Sequence, residues 1–280
     1  MLEAYVKKFL NSRVYEAAIE TPIDPAPLLS ESLGNTVLIK REDLQPVFSF
    51  KIRGAYNKLA LLPDEQRRHG VIAASAGNHA QGVALAASRM GIRAVIVMPA
   101  TTPEIKVLAV RKWGAEVILH GDTFDQAQAR ATELAREQRL VPIHPYDDPD
   151  VIAGQGTIAM EILRRHQGPL HRIYVPVGGG GLIAGISAYV KYLRPEIEVV
   201  GVESVESACL TAALASQERV TLTQVGIFAD GVAVARIGEE PFRIASRHVD
   251  RVLTVDTDEI CAAIKDIFNN TRSISEPAGA

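Results

Sequence analysis

Residues 71–98 read VIAASAGNHAQGVALAASRMGIRAVIVM. A short apolar run, Val71-Ile72-Ala73-Ala74, meets a turn of small residues and then an Ala- and Leu-rich stretch from Asn78 to Met90. Gly91 stands where helices end in a left-handed residue. A second apolar run, Ala94-Val95-Ile96-Val97-Met98, stops at Pro99. Such runs fit strands buried on both faces, and a helix between two of them makes a parallel βαβ unit. The rhythm continues outward. Upstream, Val37-Leu38-Ile39-Lys40 reads as a strand and Arg53 to Leu61 as a helix ended by Pro63. Downstream, Pro103 to Lys112 is a helix, Glu116-Val117-Ile118-Leu119 a strand, and Phe124 to Arg139 a long polar-faced helix.

The pattern restarts after Val141-Pro142. Gly156 to His166 reads as a helix, Arg172-Ile173-Tyr174-Val175-Pro176-Val177 as a strand, and Leu182 to Leu193 as a helix. Glu198 to Val202 and Arg251 to Val255 are strands, and Thr257 to Phe268 is a helix opened by an Asp256/Glu259 capping box. The expected fold class is therefore α/β with two parallel sheets covered by helices. Pro277 at the end of Ser275-Glu276-Pro277 suits the first turn of a further helix.

Composition narrows the partners. The chain carries 30 basic and 33 acidic residues in 280, a net charge of −3, so no basic field draws it to nucleic acid or an anionic membrane. Apolar residues reach 47 %, enough for a large core without staples. Its 2 cysteines, Cys209 and Cys261, make neither a disulfide framework nor a zinc site. The N-terminus lacks a basic segment followed by an apolar one, and no apolar run reaches the ~18 residues of a membrane span, so a cytoplasmic location is expected.

Three segments carry chemistry. Gly178-Gly179-Gly180-Gly181 follows a strand and opens a helix. Glycines let the backbone approach a ligand, and the helix start offers free N–H groups, which together suit a phosphate. Lys51, between Phe50 and Ile52, is placed for partial desolvation, which makes an amine a usable nucleophile; taken alone it reads better as a solvated or snorkelling lysine. Ser75-Ala76-Gly77-Asn78-His79-Ala80-Gln81-Gly82 is a second strand-to-helix turn suited to a carboxylate, although Ser75 and Asn78 also fit plain helix caps. A phosphate seat, a carboxylate seat and an amine point to pyridoxal 5′-phosphate, PLP. A competing outline exists: Gly179 to Ala184 fits G-x-G-x-x-A with Glu203 about 20 residues on, the pattern of an NAD-dependent oxidoreductase.

The segments Ser49-Phe50-Lys51-Ile52-Arg53-Gly54-Ala55, Ser75 to Gly82 and Gly178 to Leu182 resemble the three signatures of the threonine/serine dehydratases, fold type II PLP enzymes of the tryptophan-synthase-β type. Pro145-Tyr146-Asp147-Asp148, Ile152 to Thr157 and Ala229 to Val234 resemble further segments of the same family. The run from Ala229 to Arg243 is most similar to the biosynthetic threonine deaminases.

The resemblance implies two doubly wound domains. The larger, PLP-binding domain is expected at 1–43 and 141–280, incomplete at its C-terminus, and the smaller at 44–140. It implies that Lys51 holds PLP as a Schiff base beside Phe50, and that Gly178, Gly179, Gly180, Gly181 and Leu182 bind its phosphate. Asn78 is expected at the cofactor's 3′-oxygen, and Ser75, Ala76, Gly77 and His79 around the substrate carboxylate; no metal is expected. The implied reaction is β-elimination from L-threonine, or L-serine, with Lys51 as the base, giving a 2-oxo acid and ammonia within isoleucine biosynthesis. A serine dehydratase or racemase of the same class, the NAD-dependent oxidoreductase and an inactive PLP-binding remnant are the alternatives. A homo-oligomer, dimer or tetramer, is expected. The family's pyridine-nitrogen partner and the isoleucine-sensing domain have no counterpart in these residues, so no isoleucine feedback is expected of this chain.

Overall fold

The computed structural model describes residues 2–280. One of its two units comprises Met1–Leu10, Glu20–Asp43 and Gly156–Ala280; the other comprises Asn11–Ile19 and Leu44–Gln155. The first unit opens with helix α1 (Leu2–Leu10), which buries Tyr5 and Phe9, one turn apart on one face. Strands β1 (Ile23–Pro25) and β2 (Leu38–Lys40) pair antiparallel around the short helix α2 (Pro27–Leu33), a detail absent from the sequence pattern.

The second unit holds the stretch that decided the fold. Helix α3 (Lys51–Leu61) leads through a short α4 (Asp64–His69) into β3 (Val71–Ala74). Then come α5 (Asn78–Met90), β4 (Ala94–Met98), α6 (Glu104–Arg111), β5 (Glu116–Leu119) and α7 (Phe124–Gln138). A two-residue strand, β6 (Val141–Pro142), pairs parallel with β3, giving the order β5-β4-β3-β6. The alternation within the apolar runs sorts them onto two faces. Val71, Ala73, Ile96 and Met98 pack with α3, α5 and α6 on one side, while Ile72, Ala74, Val95 and Val97 pack with α7 on the other. The strand order thus reverses between β3 and β6: the chain leaves β3 through α5 on one face and reaches β6 through α7 on the other.

This unit runs past residue 140, because β6 belongs to its sheet and Ile143 N donates to Ile72 O at 2.9 Å. Helix α8 (Pro149–Arg165) starts in this unit, seven residues before the expected Gly156, and ends in the other. Asp148 Oδ1 accepts from Asp150 N and Val151 N and so caps it.

In the first unit the sheet has the order β7 (Arg172–Pro176), β8 (Glu198–Ser204), β9 (Arg251–Val255), all parallel. Helices α9 (Gly181–Leu193), α10 (Cys209–Ser216), α11 (Glu239–His248) and α12 (Thr257–Thr271) complete it. The Asp256/Glu259 capping box forms as read. The final Pro277–Gly279 makes a single 3-10 turn. Gly156 has no side chain because Phe9 fills its space: a Cβ there would collide with the ring. Among the described residues, no helix is long and apolar enough to cross a membrane.

Candidate active site

A parallel sheet presents the carboxyl ends of its strands, and their N–H groups and following helix starts, at one edge. Ligands bind there where the strand order reverses, because the diverging connections open a crevice. In the second unit that place lies past Ala74 and Pro142. Ser75, Ala76 and Gly77 form the turn from β3 into α5, and all three are half-buried, as is Asn78 in the first turn of the helix. Ser75 Oγ accepts from Gly77 N at 3.3 Å. A Cβ on Gly77 would meet nothing within 4 Å, so the turn faces open space.

Lys51 is the first residue of α3 and is half-buried. Phe48, left-handed at φ +59°, donates its N–H to Gln45 O and turns the chain into that helix. The Lys51 amine lies 3.4 Å from Pro145 O, in the loop after β6, and 5.3 Å from the centroid of the Phe50 ring. Gly82 brings α5 against it: a Cβ at that position would sit 3.0 Å from Lys51 O. His79 is buried and its Nε2 is 2.9 Å from Ile143 O. Burial first, then the positive charge of Lys51, push the His79 pKa down to about 3. Lys51, Phe50, Ser75, Ala76, Gly77, Asn78 and His79 therefore all belong to this one unit.

The tetraglycine turn belongs to the other unit, between β7 and α9. Its carbonyls are engaged by protein: Gly178 O by the Cys209 thiol at 3.4 Å, Gly179 O by Gly238 N at 3.1 Å, and Gly180 O by Ala184 N at 3.0 Å. Among the described residues, none of the N–H groups from Gly178 to Leu182 donates to a protein acceptor. A Cβ on Gly178 would lie 2.9 Å from Val232 Cα. Gly180 is left-handed at φ +87°, and a Cβ there would lie 2.9 Å from Ile237 Cδ1 and Pro241 Cβ. Bare N–H groups on a backbone with no room for side chains form an anion cradle.

The residues present fit PLP. The cradle suits a phosphate, Lys51 offers a primary amine, and Ser49, two residues before it, has a buried hydroxyl with no hydrogen-bond partner. The dinucleotide outline fares otherwise. Glu203 is 1 % exposed, and its oxygens accept from Leu210 N, Thr211 N and Thr211 Oγ1 at 2.7, 2.8 and 2.7 Å. It caps α10 and has nothing left for a ribose. Burial pushes both Glu203 and Cys209 up, the thiol to about 12, so Cys209 stays a neutral donor to Gly178 O.

Residues 14–280 match the family model described as pyridoxal-phosphate dependent enzyme. The chain belongs to that family. Among its relatives, the biosynthetic L-threonine dehydratase of Burkholderia multivorans is 58 % identical over 279 residues, 99 % of this chain and 55 % of that protein. The counterpart in Escherichia coli is 53 % identical over 276 residues, 54 % of its own length. This chain thus spans about half the length of the curated relatives it matches. Among solved structures, the processed form of threonine deaminase isoform 2 from Solanum lycopersicum superposes with a TM-score of 0.97 at 49 % identity, covering 99 % of this chain and 80 % of that one. Maize serine racemase reaches 0.94 at 31 % identity, over 100 % of this chain and 84 % of that one. The α/β architecture with parallel sheets is that of this PLP family.

Two features escaped the sequence reading. Pro145 was part of a resembling segment, yet nothing in its type announces a carbonyl beside the lysine. The sequence reading groups His79 with the carboxylate turn and gives no sign of its bond to the loop after β6, where its Nε2–H donates to Ile143 O.

Proposed function

We propose that this chain carries the catalytic part of a PLP-dependent threonine ammonia-lyase, converting L-threonine to 2-oxobutanoate and ammonia. The observation that carries the reading is the Lys51 amine at the reversal point of the β3–β6 edge, in a chain 58 % identical to a biosynthetic threonine dehydratase along nearly its whole length. Bound PLP supplies an aldehyde carbon that amines can join and a ring that accepts electron density from the substrate Cα.

The chain supplies the rest. The unpartnered N–H groups from Gly178 to Leu182 would hold the phosphate without desolvating a cationic side chain. Asn78 would donate to the 3′-oxygen, and Phe50 would pack beside the ring. The open turn at Ser75, Ala76 and Gly77, with the first turn of α5, would bind the substrate carboxylate; His79 stands in that turn. Lys51 would hold the cofactor and, once released by the incoming amino group, take the Cα proton. An amine kept by its own backbone within reach of that carbon replaces a bimolecular encounter.

The test is absorbance and product together. Purified protein reconstituted with PLP is expected to show a visible band that borohydride bleaches, and to release 2-oxobutanoate and ammonia from threonine. Lys51→Ala is expected to lose the borohydride-sensitive band and at least about 10³-fold in kcat. A Lys51→Ala protein that keeps its turnover overturns the assignment. Running serine in parallel, with chiral analysis, separates dehydration from racemisation.

A further inference from the structure

We propose that His79 is a positioning residue for the Lys51 amine, acting through the loop that follows β6. This rests on the reading of Lys51 as the reacting amine. The loop from Ile143 to Asp148 carries the carbonyl of Pro145 to the lysine, and a proline cannot anchor itself through its own N–H. Its neighbours must therefore hold it.

At the far end they are several. His144 Nδ1 accepts from Tyr146 N at 3.3 Å and Asp147 N at 2.8 Å, closing the turn. Lys58 pairs with Asp148 at 2.7 Å and Asp150 at 3.3 Å, and Asn57 Nδ2 donates to Asp150 O at 2.7 Å. At the near end, Ile143 N continues the β3 ladder, and Ile143 O receives the His79 ring. His79 thus ties the first turn of α5 to the loop two residues before Pro145.

The ring is suited to a constant bond. A carbonyl partner requires Nε2–H and leaves Nδ1 bare. Burial and then the positive charge of Lys51 from α3 oppose a second proton; the other titratable ring facing it, His144 of the loop, is itself held neutral by burial and by the two N–H groups that its Nδ1 accepts. The donor is therefore the same across the working pH range, and the carbonyl that meets the amine is held at one place. The alternative role, a ring that touches the substrate carboxylate, makes different predictions.

The experiment uses cofactor-free protein, so it stands independently of turnover. His79→Asn removes the donor at the Nε2 position, while His79→Gln returns an amide N–H there. In His79→Asn, hydrogen exchange at the Tyr146 and Asp147 amides is expected to speed by about tenfold, with Leu134 in α7 unchanged. The rate of reductive methylation of Lys51, relative to exposed Lys7, is expected to change by about threefold or more. His79→Gln is expected to restore both. In PLP-loaded enzyme, His79→Asn is expected to lower kcat about tenfold with KM for threonine within about twofold.

Equal behaviour of the Asn and Gln variants, or no change at Lys51, overturns the proposal, since the ring then only fills space. A raised KM with intact kcat overturns it in favour of substrate contact. Should His79→Asn fail to fold, ring ¹⁵N shifts of the unaltered protein decide: a His79 that titrates between about pH 6 and 8, or carries its proton on Nδ1, refutes the idea. Should exchange and methylation behave as expected while threonine is not turned over, the positioning role stands and the proposed activity falls.

Discussion

A buried histidine records its environment in the stability of the protein. Unfolded, His79 takes a proton near its ordinary value of about 6.5; folded, it does so only near about 3. Between those values the unfolded state binds the extra proton, so stability rises with pH across the window and falls on acidification. Denaturant titrations at pH 4.5 and 5.5 are expected to show this group contributing a slope approaching about 1.4 kcal/mol per pH unit. His79→Gln is expected to lack that increment, and equal slopes in both proteins would refute the buried neutral ring. Gly180 offers a second residue-scale test. Its φ of +87° and the 2.9 Å approach of Ile237 and Pro241 leave an alanine both strained and crowded. Gly180→Ala is expected to cost about 1–3 kcal/mol and to weaken PLP binding measured by titration of the visible band. Unchanged affinity would show that the turn has slack.

Elements form here where local chemistry and burial agree. Helix α12 starts at Asp256, which accepts from Glu259 N at 2.9 Å while Glu259 Oε2 accepts from Asp256 N at 2.9 Å. Asp256→Ala is expected to destabilise by about 1 kcal/mol in urea unfolding, without altering the visible spectrum. That start was legible, because a capping box spans only four residues. The start of α8 was not. Its apolar pattern begins inside, and its true cap, Asp148, looks in the sequence like one acid among several. Strand β6 was hidden for a related reason. Two residues, one of them a proline, carry no periodicity, and only the ladder bonds from Val141 N to Gly70 O and from Ile143 N to Ile72 O make them a strand. The antiparallel β1–β2 pair likewise rests on a register that spans α2.

Within the whole molecule, the first unit carries a charge pair that the sequence did not announce. Lys40, at the end of β2, donates to Thr21 O and to Glu161 in α8, whose side chain is fully buried. Removing one partner of such a pair strands a charge, while removing both leaves an apolar gap that packing can fill. Lys40→Met is expected to destabilise by about 3–5 kcal/mol, and Lys40→Met with Glu161→Leu to recover most of it. A double variant as unstable as the single one would show that shape, and not charge, matters at this site.

The PLP family, the parallel sheets and the three signature turns followed from the sequence alone, because each depends on residue types a few positions apart: apolar runs of four or five, glycines at a helix start, a lysine between apolar neighbours. Tertiary structure decided what depends on distant partners. It spent Glu203 on capping α10 and so closed the dinucleotide reading. It brought Pro145 O to Lys51 across 94 positions and His79 to Ile143 O across 64. No local pattern encodes such meetings, since a backbone carbonyl belongs to every residue and only the fold determines which one an amine finds.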